Sequence, residues 1–105
     1  MEINDDKFEE KVIKKSEKMP VVVDFYADWC GPCHMLAPIM EKVEDEFEGK
    51  VVFVKINVDN NPKSSKEYGV TGIPAVKIFK DGAVADEFVG LQPEDMIKKW
   101  LKKNL

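Results

Sequence analysis

No stretch of this chain approaches the roughly 20 consecutive apolar residues that a membrane helix requires. Its start, Met1-Glu2-Ile3-Asn4-Asp5-Asp6, has neither the positive residues nor the apolar run of a secretory signal. No membrane partner and a cytoplasmic location are therefore expected. Basic residues are not in excess: 16 Lys+Arg stand against 20 Asp+Glu, for a formal net charge of −4. A nucleic-acid partner is not expected, because such proteins need a basic face to displace counterions. Repeats, linkers and low-complexity tracts are absent, so the 105 residues are expected to form a single domain over 1–105. Cysteine is scarce as well. Two cysteines are fewer than a small secreted scaffold uses in place of a core. What the chain does have is ordinary for a globular domain, 44% hydrophobic and 34% charged residues.

The apolar residues are patterned. Asn4 is placed to cap a first helix, with Asp5 and Asp6 in its first turn and Phe8, Val12 and Ile13 on its buried side. Residues 21–26 are a nearly continuous apolar run interrupted by Asp24, as in a central strand buried on both faces. A second helix is predicted over 32–47, because Cys33, Leu36, Met40, Val43 and Phe47 recur at three- and four-residue steps. Pro38 lies inside it, and Gly49 stands where a helix-terminating glycine belongs. Residues 51–58 read as a second strand, and Asn61-Pro62 as the cap and first residue of a short third helix. Residues 75–79 and 84–89 flank Asp81-Gly82, a strong hairpin signal. A last helix opens at Gln92-Pro93 and turns Ile97, Trp100, Leu101 and Leu105 inward. A further short strand is expected at Glu2-Ile3. Strand–helix–strand followed by a hairpin predicts an α/β fold, a mixed four- to five-stranded sheet with helices on both faces.

The chemistry concentrates at Trp29-Cys30-Gly31-Pro32-Cys33, between a buried strand and a helix start. Residues three apart on a helix have Cβ atoms roughly 5–6 Å apart, so a small adjustment brings two cysteines within disulfide range. Cys30, at the first turn, meets unpaired N–H groups and the positive dipole end, which favour a thiolate. Cys33, one turn in and on the apolar face, is expected to be less accessible. Cys30 is thus the expected nucleophile and Cys33 the resolving thiol. Gly31 leaves room for close approach, and Pro32 stiffens the turn. Two other readings compete: an inert cysteine pair, and half of a zinc site. Structural zinc takes about four Cys/His ligands, and this chain offers Cys30, Cys33 and the single histidine, His34.

The run from Val23 to Cys33 resembles the active-site signature of the thioredoxin family. The resemblance continues through Pro38, Lys55, Gly72-Ile73-Pro74, Asp81-Gly82 and Val89-Gly90, over essentially the whole chain. It implies the thioredoxin fold, with Pro74 as a cis-proline facing the cysteines. It also implies that Asp24 is the buried carboxylate that takes the Cys33 proton, with Lys55 as its partner. A carboxylate in an apolar strand has the raised pKa that suits such a base. A buried structural ion pair is the plainer alternative. The resemblance further implies an apolar substrate surface at Trp29, Gly31, Pro32, Ile73, Pro74, Val89, Gly90 and Leu91. Backbone near Pro74 and Gly90 would hold an extended segment. For Val89 and Leu91, core packing is the alternative.

Three positions depart from the family pattern. Tyr26 stands where many members have tryptophan, and should pack beneath the site. Ala75 stands where threonine is common. His34 replaces the usual lysine or arginine, so the redox behaviour is expected to vary with pH around its titration; a solvated histidine is the alternative. Lys98, Lys99, Lys102 and Lys103 read as a solvated face at a helix C-terminus. The expected function is general protein-disulfide reduction by a monomer. The resemblance implies recharging by a thioredoxin reductase and no bound cofactor beyond the Cys30–Cys33 disulfide. A thiol oxidant or disulfide isomerase, and a scaffold or binding subunit of the same fold, remain the alternatives. Gly-Pro between the cysteines favours the reductase.

Overall fold

The structure, a computed structural model, describes residues 1–105. The apolar run of residues 21–26 becomes strand β1 (Val21–Tyr26), in which every residue but Tyr26 is buried. Strands β2 (Val52–Asn57), β3 (Ala75–Lys80) and β4 (Ala83–Val89) join it in one sheet of order β2-β1-β3-β4. β1 pairs parallel to β2 and antiparallel to β3, and β3 pairs antiparallel to β4. Asp81 and Gly82 make the two-residue turn of that hairpin, both with positive φ (52° and 84°). That conformation matches the twist of the flanking strands and favours an Asp-Gly pair.

Alternation along β1 divides the core. Val21, Val23 and Phe25 face one side with Val54, Ile56 and Phe79, where Phe8 and Val12 of the N-terminal helical segment pack on them. Val22 faces the other side with Val76 and Ile78. There it meets Leu36, Met40 and Val43 of α2 (Gly31–Glu46), and Ile97 and Leu101 of α4 (Glu94–Lys103). Each such side chain, fully buried, contributes about 1.5–3 kcal/mol. Helices thus cover both faces of a mixed sheet, as the sequence predicts. Period two also sends Asp24 to the α2 side of β1.

Several local expectations are corrected. The first helix is α-helical only over α1 (Asp5–Phe8) and continues as a π-helix (Glu9–Lys14) and a 3₁₀ turn (Lys15–Glu17). Asn4 makes no side-chain cap to it, and Asn61 makes none to α3 (Pro62–Glu67). The caps cross between the two segments instead. Asn61 Oδ1 accepts the Asp5 N–H at 2.7 Å, and the Asp5 carboxylate accepts the Lys63 and Ser64 N–H groups at 3.1 and 2.9 Å. The strand expected at Glu2-Ile3 is a single parallel bridge from Glu2 to Lys55, because the chain turns into α1 two residues later. Leu105 is exposed, one residue beyond the Asn104 that ends α4. No helix is long and apolar enough to cross a membrane.

Candidate active site

The site is built where β1 ends and α2 begins. Ala27, buried after the strand, accepts the Cys30 N–H at 3.2 Å. Cys30 is the N-cap of α2, with extended backbone, and Pro32 lies in the first turn, where its missing N–H costs nothing. Cys30 Sγ accepts the Cys33 N–H at 3.2 Å, the place a capping hydroxyl occupies in other helices. Cys30 and Cys33 are joined as a disulfide, with Cα atoms 5.3 Å apart. The expected difference in accessibility is absent: Cys30 is 4% exposed and Cys33 6%. Both sulfurs lie in one small cluster with Ala27, flanked by Tyr26, Val58 and Ile73. What distinguishes the two is position in the helix, since only Cys30 Sγ receives a backbone N–H from α2.

Ile73 brings a second segment to the cysteines. The Ile73–Pro74 peptide bond is cis, Pro74 is buried, and its carbonyl accepts the Gly90 N–H at 2.8 Å. Val89 stands opposite Ala75 in the β3–β4 register. A Cβ on Gly72 would meet Val89 Cγ1 at 3.3 Å, so glycine lets the two segments approach. Val89 and Leu91 are exposed and not packed into the core. Gly31 and Pro32 are also exposed, with nothing within 4 Å of a Cβ built on Gly31. Trp29, 71% exposed, is the largest apolar surface beside the disulfide. Its indole Nε1–H donates to Asp59 Oδ2 at 2.9 Å. Sequence reasoning missed Asp59, although its place just after β2 sets it beside the loop that follows the neighbouring parallel strand.

Asp24 is 5% exposed, and its Oδ1 has no hydrogen-bond partner. Burial pushes its carboxyl up to about 6, against the pull of the Lys55 charge. Lys55 is its neighbour in the β1–β2 register, but the expected partnership is not an ion pair: Lys55 Nζ lies 4.5 Å over the Tyr26 ring. Tyr26 does flank the cysteine cluster, and its hydroxyl donates to Glu2 Oε1 at 2.7 Å. His34 is exposed and turns back to the loop, where Nε2–H donates to the Asp28 carbonyl at 2.6 Å. That bond places the proton of the neutral ring on Nε2. No three His, Cys, Asp or Glu side chains are grouped to hold a metal ion.

A disulfide at a helix N-terminus, ringed by exposed apolar side chains, is the arrangement for exchanging thiols with another protein. The thioredoxin family model matches residues 1–103. The chain belongs to the thioredoxin family. It is 42% identical over 103 residues to the thioredoxin of Rickettsia bellii, covering 98% of this chain and 96% of that protein. The thioredoxin of Rickettsia conorii is 40% identical over 103 residues, with the same coverage. That of Synechocystis is 41% identical over 104 residues, covering 99% and 95%. With the Cys30–Cys33 disulfide at the family's active-site spacing, the chain is a protein-disulfide oxidoreductase that acts on disulfide-containing proteins.

Proposed function

We propose that Cys30 is the attacking sulfur and Cys33 the resolving one in general protein-disulfide reduction. The observation that supports this most is the Cys33 N–H aimed at Cys30 Sγ at the N-cap of α2, where the helix dipole favours a thiolate. In the reduced chain, the Cys30 thiolate attacks a substrate disulfide. A Cys30–substrate bond forms, the substrate S–S bond breaks, and one substrate thiolate leaves. Cys33 then loses its proton to Asp24 and attacks Cys30 Sγ. The Cys30–Cys33 bond re-forms and the second substrate thiolate leaves, so two electrons have passed to the substrate. A carboxyl raised to about 6 by burial can hold that proton near neutral pH.

Trp29, Gly31, Pro32, Ile73, Val89 and Leu91 offer the apolar contact, and backbone at Pro74 and Gly90 offers strand-like pairing. Lys55 moderates the Asp24 charge, and His34 supports the loop before the nucleophile. We further propose one domain over 1–105 that works as a cytoplasmic monomer, binds no cofactor and is recharged by a thioredoxin reductase.

Trapping tests the assignment. Cys33→Ser should accumulate a mixed disulfide with substrate protein through Cys30, and Cys30→Ser should accumulate none. Trapping by Cys30→Ser alone would reverse the roles. Equilibration of the couple with thiol buffers tests its direction. A potential near about −270 mV fits a reductant, and one above about −180 mV fits an oxidant or isomerase.

A further inference from the structure

A cavity of about 40 Å³ lies beneath α2, against β1 and β2. Val22, Asp24, Ala37 and Lys55 line it, together with Glu41 and Glu44. A water needs roughly 10–15 Å³ of such room and polar partners to hold it, and both are present. At the inner end is Asp24, a buried carboxylate with Oδ1 unpartnered. Toward the outside are Glu41 and Glu44, both exposed on α2. The space therefore runs from the buried carboxylate to solvent. None of the apolar residues around the disulfide lines it: exposed Trp29, Val89 and Leu91 and half-buried Ile73 all lie elsewhere.

Two separate faces have a consequence for proton movement. In the mixed disulfide, a protein substrate covers the cysteine face and displaces its water. Asp24 has to be ionised in that covered state to accept the Cys33 proton, so any proton it carries must leave by another face. We propose that the cavity under α2 is a rear water channel, which keeps the Asp24 carboxyl in proton exchange with solvent while substrate covers the cysteines. This rests on the reading of Asp24 as the base of the second step. The protonated carboxyl gives its proton to a cavity water, which releases one to bulk water at Glu41 and Glu44. The carboxylate is restored, and no electron moves.

The groups facing Asp24 are few. β2 contributes Lys55, and α2 contributes Glu41 and Glu44. The Met1 ammonium, also at the cavity, donates to the Phe53 carbonyl at 3.4 Å. β3 sets Val76 opposite Asp24, while Lys77, one position on, pairs with Glu87 at 2.8 Å. An occupied channel is thus the main means of solvating the carboxylate from behind.

Two substitutions fill the channel independently, Ala37→Val and Val22→Ile, with circular dichroism and thermal melting to confirm folding. The side-chain carboxyl carbon of Asp24 is followed by NMR against pH in a Cys33→Ser background. Each protein is titrated free, and again as the Cys30 mixed disulfide of a short extended cysteine peptide. With the channel open, the Asp24 midpoint should be the same free and peptide-bound. With it filled, the midpoint should rise by about half a unit or more, and further when peptide covers the front. The proposal is overturned if peptide raises the midpoint equally with the channel open, or if filling leaves it in place. Asp24→Asn with both cysteines intact separates the two ideas. An unchanged second-step rate there would remove Asp24 as the base, whereas the titrations judge the channel alone.

Discussion

Lys55 stands opposite Asp24 across the parallel β1–β2 pair, yet its ammonium lies over the Tyr26 ring and leaves Asp24 Oδ1 without a partner. The lysine charge moderates the carboxyl without neutralising it, so burial prevails and holds the carboxyl at about 6. This has a stability cost with a defined sign. The folded value lies above the ordinary 3.8, so between the two the folded state binds more protons than the unfolded one. Stability therefore falls as pH rises through that window, and the loss is complete above about 6. Replacing Asp24 by Asn should stabilise the chain by on the order of 3 kcal/mol at pH 7–8 and by little below pH 4. Denaturant unfolding at both pH values checks it. Equal effects at the two would mean that Asp24 is not held protonated by burial.

Removing the lysine charge should push the carboxyl further up. In Lys55→Met, Asp24 loses the one charge that pulls its pKa down, so its midpoint should rise beyond about 6. At pH 6 the resolving step should slow by a few-fold, with a smaller deficit at pH 8, in stopped-flow traces of Trp29 fluorescence. The lost contact with Tyr26 should cost about 0.5–1 kcal/mol in stability. A second-step profile that stays in place would show that Lys55 acts only through packing.

Much of this was legible in the sequence because it is encoded locally. The apolar run of residues 21–26, the three- and four-residue spacing from Cys33 to Val43, and Asp81-Gly82 each specify an element through nearby residues alone. Cysteines at the start of a predicted helix likewise locate the site. What could not be read depends on pairs far apart in sequence. Asn4 and Asn61 both look like caps of their own helices, but tertiary packing lets Asp5 reach the N–H groups of α3 and lets Asn61 serve α1. Asp59 looks like any loop carboxylate until β2 sets it beside Trp29. Both cysteines are buried in a cluster against which Val58 and Ile73 also pack, and these two come from segments that the helix periodicity around Cys30 and Cys33 does not reveal.

The crossed caps should be coupled. Asn61 is fully buried, and besides receiving the Asp5 N–H it donates to Asn4 Oδ1 and the Asn57 carbonyl, at 3.2 and 2.8 Å. Asn61→Ala leaves the buried Asn57 carbonyl and the part-buried Asp5 N–H and Asn4 Oδ1 unpaired and should cost about 2–3 kcal/mol. Asp5→Ala removes a cap and should cost about 1 kcal/mol. Burial tends to raise the Asp5 carboxyl, but hydrogen bonds from Ser64 and Lys63 outweigh it and hold it below its ordinary value. Its contribution is therefore present above the ordinary carboxylate range and lost as pH falls through the folded value. Asp5→Asn should flatten the acid limb of the stability curve, and an unaltered limb would assign acid sensitivity to other carboxylates.

Trp29 and Asp59 make the most direct test of how the exposed surface works. The indole is held by one hydrogen bond, from Nε1 to Asp59 Oδ2, while 71% of the residue faces solvent. An exposed bond of this kind contributes little to folding, about 0.5–1.5 kcal/mol. Its value lies in pre-ordering a large apolar side chain that would otherwise have to be immobilised when substrate binds, a cost of about 0.5–1.5 kcal/mol. Asp59→Ala should therefore raise KM for a protein disulfide by roughly 2- to 10-fold while leaving kcat nearly unchanged. Reaction with a small disulfide, which has no surface to rest on Trp29, should stay at the wild-type rate. Asp59→Asn keeps an acceptor oxygen and should restore most of the loss. If both substitutions lower kcat on small and protein disulfides alike, Asp59 acts on the cysteines themselves and not on the surface that receives the substrate.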